Sequence, residues 1–137
     1  MTSLNHIRIA LENHLNTTPG AALPAIAWPN VPFTRTPGTP YIRAEFLPMV
    51  RRPVTTGPDP EQRRSGTFML TVFTPESAGA SAGTLLAERL EDRFSGSTAI
   101  VTSDVTVRLE YSEATRPLHD PPFFAIPVEV GWYCYSR

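Results

Sequence analysis

The stretch "GTFMLTVFT", residues 66–74, decides how the chain folds. Alternate side chains of a strand point to opposite faces. Here Phe68, Leu70 and Val72 share one face, and Met69, Thr71 and Phe73 share the other. Both faces are largely apolar, so this strand must be covered on both sides and belongs in the interior of a sheet.

Working outward, "YIRAEFL" at residues 41–47 alternates with one wetter face: Ile42, Ala44 and Phe46 against Tyr41, Arg43, Glu45 and Leu47. It pairs with 66–74 as a hairpin. The connection, "PMVRRPVTTGPDPEQRRS" at residues 48–65, carries four prolines and two arginine pairs. It shows neither strand nor helix periodicity, so it is expected to be a long loop, mobile over residues 49–65. Residues 19–40 are also proline-rich. Proline lacks the amide donor, which excludes a helix and leaves room only for a short edge strand near residues 25–28. Trp28 and Phe33 are candidate anchors of this segment, and Thr36-Pro37-Gly38-Thr39 reads as a turn.

Two segments have helical spacing. In residues 3–16, Leu4, Ile7, Leu11 and Leu15 form a stripe, with Ser3 as N-cap. In residues 81–94, Ala82, Leu86, Leu90 and Phe94, with Leu85, form a second stripe, and Gly96 follows as terminator. Downstream, residues 98–102 and 105–111 read as strands joined through Ser103-Asp104, with Val105, Val107, Leu109 and Tyr111 inward. Residues 112–122 are a second polar, proline-rich loop. Residues 123–135, "FFAIPVEVGWYCY", are a long strand with Phe124, Ile126, Val128, Val130, Trp132 and Cys134 on one face. Pro127 is expected at an edge or bulge. The fold class is therefore α+β: one domain over residues 1–137, with a single mostly antiparallel sheet and two helices on one face.

Composition narrows the function. The chain has 137 residues, 41% hydrophobic and 18% charged, with a net charge of −1. Nothing global attracts nucleic acid or anionic lipid. No apolar run approaches the roughly 20 residues of a membrane span, and the N-terminal stretch lacks the apolar core of a signal peptide, so an intracellular protein is expected. All 12 basic residues are arginine, each a planar fork suited to carboxylates and interfaces. Cys134 stands alone, so it forms no internal disulfide and no cysteine metal site.

Candidate chemistry is sparse. Gly79-Ala80-Ser81-Ala82-Gly83 fits the G-x-S-x-G pattern of serine hydrolases. The preceding strand ends near Thr74, too early for the required sharp turn, and His119 is followed directly by Asp120. Ser81 therefore reads as a helix N-cap, and a serine esterase is the weakest alternative. His6, His14 and His119 form no ligand set. No catalytic, cofactor or metal site is expected, and no small-molecule substrate. Arg51, Arg52, Arg63 and Arg64 bracket the long loop, which also holds Asp59 and Glu61. Two readings stand: a solvated tip, or a docking arm whose guanidinium groups pair with a partner's carboxylates. Nucleic acid is disfavoured by the acids and by the lack of interleaved aromatics.

The pieces "SLNHIRIALENHL", "AWPNVPFTRTPGTPYIRAEFLP", "GTFMLTVFTP", "LEDRFSGSTAIVTSDVTVRLEYS" and "FFAIPVEVGWYCYS" together resemble a family of small prophage proteins. These look like tail terminators, or tail-completion proteins. The segment W-x-N-V-P-F-x-x-x-P-G-T-P-Y is the most specific piece. The resemblance implies a two-helix α+β domain and hexameric rings that stop tail-tube growth and face the head connector. It implies as partners other copies of the chain, the tail tube protein and head-completion proteins, in the host cytoplasm during assembly and then in the virion tail. A head–tail connector or minor tail protein is the alternative within the same class. Residues 48–65 match no family motif.

Overall fold

The computed structural model describes residues 4–20 and 23–136. The expected Ser3 cap lies outside them. In chain order the elements are α1 (Leu4–Asn16), β1 (Ala25–Ala27), β2 (Tyr41–Pro53), β3 (Gln62–Pro75), α2 (Ser81–Arg93), β4 (Ala99–Val101), β5 (Thr106–Ala114), β6 (Leu118–Asp120) and β7 (Phe123–Ser136). The strands form one sheet in the order β1-β2-β3-β7-β5-β4, with β6 also on β7. All neighbours run antiparallel except β1, which lies parallel to β2, so the sheet is mixed.

The main core lies between the sheet and both helices. Ile7, Leu11 and Leu15 of α1 are fully buried, as their spacing predicts. Each contributes about 1.5–3 kcal/mol by leaving water. They share one cluster with Phe68, Leu70, Val128, Val130 and Trp132 of the inner faces of β3 and β7, and α1 itself lies against β4 and β5. The opposite face carries a second, smaller cluster of Ala27, Tyr41, Phe73, Phe123 and Ala125. That explains why both faces of residues 66–74 are apolar.

The proline-rich approach packs beside this second cluster. Phe33, partly exposed, sits 5.0 Å from the Tyr41 ring, which stacks on Phe73 at 4.4 Å. Arg35 lies 5.1 Å over Phe123 and pairs with Asp120 at 3.0 Å. Trp28 packs against the main core. The turn at 36–39 closes as expected: the Thr39 N–H donates to the Thr36 carbonyl at 3.1 Å, and Gly38 supplies a φ of +86°.

Several expectations are corrected. Residues 48–65 are not one long loop: β2 continues to Pro53, β3 begins at Gln62, and only residues 54–61 are left outside strands. β7 holds β3 from its other side as far as Ser136, so the ladder continues to the tip of the hairpin, whose residues Met49 to Arg51 and Arg64 share a cleft with Leu4 of α1. The buried face of α2 is Gly83, Ala87, Leu90 and Phe94; Ala82 is exposed, Leu86 half-buried and Leu85 63% exposed. Small Gly83 and Ala87 let the helix approach Thr74 and Ile126, and bulkier Leu85 is turned to solvent. Tyr111 points outward, because the register shifts between Leu109 and Tyr111. Ala80, not Ser81, is the α2 N-cap, and it makes no side-chain cap bond.

Pro127 is at neither an edge nor a bulge. It stands opposite Thr71 in β7, a strand with neighbours on both flanks. Its carbonyl accepts from the Thr115 N–H at 2.8 Å, beyond the last β5 pair, Ala114 with Val128. The β6 pairing begins only at Ala125. In an antiparallel strand a residue's N–H and C=O point the same way. The donor that Pro127 lacks therefore faces the gap between β5 and β6.

Candidate docking surface

The arm formed by the ends of β2 and β3 carries all four arginines singled out in the sequence. Arg51 stands opposite Arg64, and Arg52 opposite Arg63. Like charges directly across a strand pair are unfavourable. The fold answers this differently at each position. Arg63 Nη2 donates to Glu110 Oε1 at 2.8 Å, and the guanidinium lies 4.7 Å over the Tyr133 ring. Arg64 turns toward the helix side, where its strand position faces Cys134. Its Nε is buried without a hydrogen-bond partner among the described residues. Burial pushes the Cys134 thiol pKa up, with Arg64 pulling weakly the other way. Arg51 and Arg52 are exposed and have no carboxylate partner among the described residues.

The tip is closed by its own backbone. Val54 N–H donates to the Glu61 carbonyl at 2.8 Å, and Glu61 N–H donates to Thr55 Oγ1 at 2.8 Å. Asp59 and Glu61 do not pair with the four arginines. Apolar side chains accompany the charges along β2: Met49 is 72% exposed, and Leu47, Val50 and Val54 are exposed too. From Ala44 to Pro53 the outer edge of β2 has no neighbouring strand, since β1 pairs only with Tyr41, Ile42 and Arg43. An open groove of about 870 Å³ runs along this edge, between Trp28–Val31 and Ala44–Leu47. The surface thus combines unpaired main chain, exposed apolar side chains and fixed cations, the makings of a protein interface.

The remaining candidates take structural places. Ser81 opens α2, is exposed, and makes no hydrogen bond to a base among the described residues. His119 Nε2 lies 2.7 Å from Glu76 Oε1, both on the surface. His14 Nε2–H donates to the Arg93 carbonyl at 2.9 Å, and Arg93 Nε donates to the His14 carbonyl at 3.0 Å. This reciprocal pair ties the C-terminal ends of the two helices together. Burial first, then nearby Arg93, lower the His14 pKa, against the raising effect of the hydrogen bond. No group of three or more potential metal ligands occurs among the described residues, and no helix is long and apolar enough to cross a membrane.

Sequence reasoning brought the four arginines to one loop but missed what holds them. Glu110 and Tyr133, the partners of Arg63, come from β5 and β7 and are far away in sequence. The one available signal was the length of the 123–135 strand, which needs a β3 long enough to match it.

No curated protein matches the chain. A solved structure that is 23% identical matches 100% of this chain and 98% of its own length with a TM-score of 0.76. That likeness extends the α+β fold over the whole chain. The family model described as phage tail terminator protein matches residues 6–132, and the chain belongs to that family.

Proposed function

We propose that this protein caps the phage tail tube: copies assemble as a ring on the growing end, block further subunit addition and present a face for head joining. Membership in the tail terminator family carries this reading. The family is structural, and the protein acts by shape and charge, as a component of the virion tail. Assembly takes place in the host cytoplasm. The tail tube protein and head-completion proteins are its partners, with a hexameric ring as the self-assembly. Arg51, Arg52, Arg63 and Arg64 form the partner interface.

What supports the arm's role is that its two most exposed cations lack internal partners, while the scaffold beneath them is a three-stranded ladder of β2, β3 and β7. A rigid base with unused charge suits docking, because little ordering entropy is lost on binding. The test is Arg51→Glu with Arg52→Glu. Exposed charge pairs contribute only about 0–1 kcal/mol to stability, so thermal unfolding should barely change. Reversed charge at an interface turns attraction into repulsion, so tails should be overlong or headless in electron micrographs. The double lysine variant should be intermediate, because lysine keeps the charge and loses the planar fork. Normal tail lengths and full phage titre with the double Glu variant would refute the docking role.

A further inference from the structure

We infer that the arm of one copy docks by the open edge of its β2 on the exposed face of α2 in the next copy, with Met49 against Leu85, and with Arg51 and Arg52, which project from opposite faces of β2, reaching Glu88 and Asp92 from either side of that edge. This rests on the capping reading and names the arm's partner. Leu85, Glu88 and Asp92 are spaced i, i+3, i+7 and so share one face of the helix. Leu85 is 63% exposed. Glu88 and Asp92 are exposed, and neither carboxylate has a hydrogen-bond or ion-pair partner among the described residues. The cations of the same helix do not neutralise this face. Arg89 Nη2 donates to the Pro19 carbonyl at 3.0 Å, and Arg93 is held at the end of α1. The arm offers the complement: two exposed arginines without partners, beside an apolar side chain that is 72% exposed.

The two surfaces cannot meet within one chain. Arg51 lies level with Arg64 of β3. The groove beside Glu88 and Asp92 is bounded by Ala114, which is level with Val128 and hence with Leu70 of β3. Six residues of strand separate these levels, roughly 20 Å. The arm also lies at the β2 side of the sheet, whereas Ala114 lies across β7 in β5. Two different complementary patches on one subunit make a head-to-tail contact, which repeats from copy to copy and closes into a ring when the rotation allows.

Charge reversal tests this in both directions. Sedimentation of the purified chain at low ionic strength, across a wide concentration range, should show reversible association that weakens with added salt. The arm variant, Arg51→Glu with Arg52→Glu, should stay monomeric. So should the helix variant, Glu88→Arg with Asp92→Arg. An equimolar mixture should associate again, since each arm then meets a groove of opposite charge, and that recovery also shows both variants to be folded. The quadruple variant should associate alone. A wild-type chain that is monomeric at every concentration, association unaffected by either reversal, or a mixture that stays monomeric would overturn the inference. If reversing the arm abolishes tail completion and reversing the helix charges does not restore it, the arm docks on another protein. The capping reading then stands and this inference fails.

Discussion

Replacing Gly66 by Ala adds one methyl group, and the structure says it should be among the most damaging small changes in the protein. Gly66 sits opposite Pro48, where the β2–β3 register shifts at the root of the arm. A Cβ built there would lie 2.5 Å from the Leu47 carbonyl oxygen, 2.8 Å from Pro48 Cα and 2.8 Å from Trp132 Cζ2. Two of these atoms are backbone, and the third belongs to a side chain that is 1% exposed. None can swing aside, so β2 itself must shift by several tenths of an ångström. Overpacking of this kind costs about 1–3 kcal/mol, and the rigid neighbours place Gly66→Ala at the upper end. The gain from losing glycine's freedom in the unfolded chain offsets less than about 1 kcal/mol. Gly131→Ala is the control. There the three atoms nearest the new methyl all belong to the Tyr111 ring, including Cδ1 at 2.7 Å. Tyr111 is 38% exposed and can rotate out, giving up its hydrogen bond to Glu129 at 3.0 Å. That costs about 1 kcal/mol. Urea unfolding followed by tryptophan fluorescence should show the Gly66→Ala midpoint falling by about 1 M, given slopes of roughly 1–3 kcal/mol per molar. The Gly131→Ala midpoint should fall by less than half as much. A Gly66→Ala midpoint equal to wild type, or Gly131→Ala as the worse of the two, would refute this account of the arm's root.

The other predictions are brief. His14 has a pKa below its ordinary value, so above about pH 6.5 it is neutral in both folded and unfolded chains and adds no pH dependence. Below that the unfolded chain binds the proton first, and stability falls until the pH passes the lowered folded pKa; His14→Gln should lose this component, and equal pH dependence in the two proteins between pH 7.5 and 5 would count against it. Cys134 is buried with a raised pKa, so a thiol reagent at pH 8 should label the native chain at least about tenfold more slowly than the urea-unfolded chain, and equal rates would show the β7 end to be open.

The parts of the fold that were legible in the sequence are those where burial imposes a period. Ile7, Leu11 and Leu15 line one side of α1, because the other side faces water, and the even-numbered residues of β7 from Ile126 to Cys134 are buried in the main core while Pro127, Glu129 and Tyr133 between them are only half-buried. The C-terminal half of the α2 stripe, Leu90 and Phe94, is buried as expected. At its N-terminal half Gly83 and Ala87 take the buried positions and Ala82 and Leu85 are exposed, which a reading that weights large side chains above small ones misses. A helix that lies close to a sheet at this point needs Gly83 and Ala87 at the contact, and Leu85 is then left for solvent. Tyr111 was misplaced because a bulge costs one residue of register and sends every later side chain to the other face.

The arm shows a more general limit. Hydrophobic periodicity reports burial, and a strand exposed on both faces has none to report. Residues 49–53 are exposed at every position, so Arg51 and Arg52 interrupt the pattern as a loop would. Pro48 and Pro53 strengthen the impression of a loop, yet proline is tolerated on an edge strand, where its missing donor faces no neighbour. What makes these residues a strand lies elsewhere in the chain: β7 runs on to Ser136, pairs with β3 down to Gln62, and so presents a template that β2 extends along. The same long-range pairing fixes the spacing of the arginines and leaves Arg51 and Arg52 outermost. The structure of this segment is dictated by a distant strand, and residues 49–53 bury none of their own side chains, which leaves them free for the contacts proposed above. Within the subunit the cost of placing arginine opposite arginine is relieved at Arg63 by Glu110 and Tyr133, while Arg51 and Arg52 stay exposed without a carboxylate among the described residues.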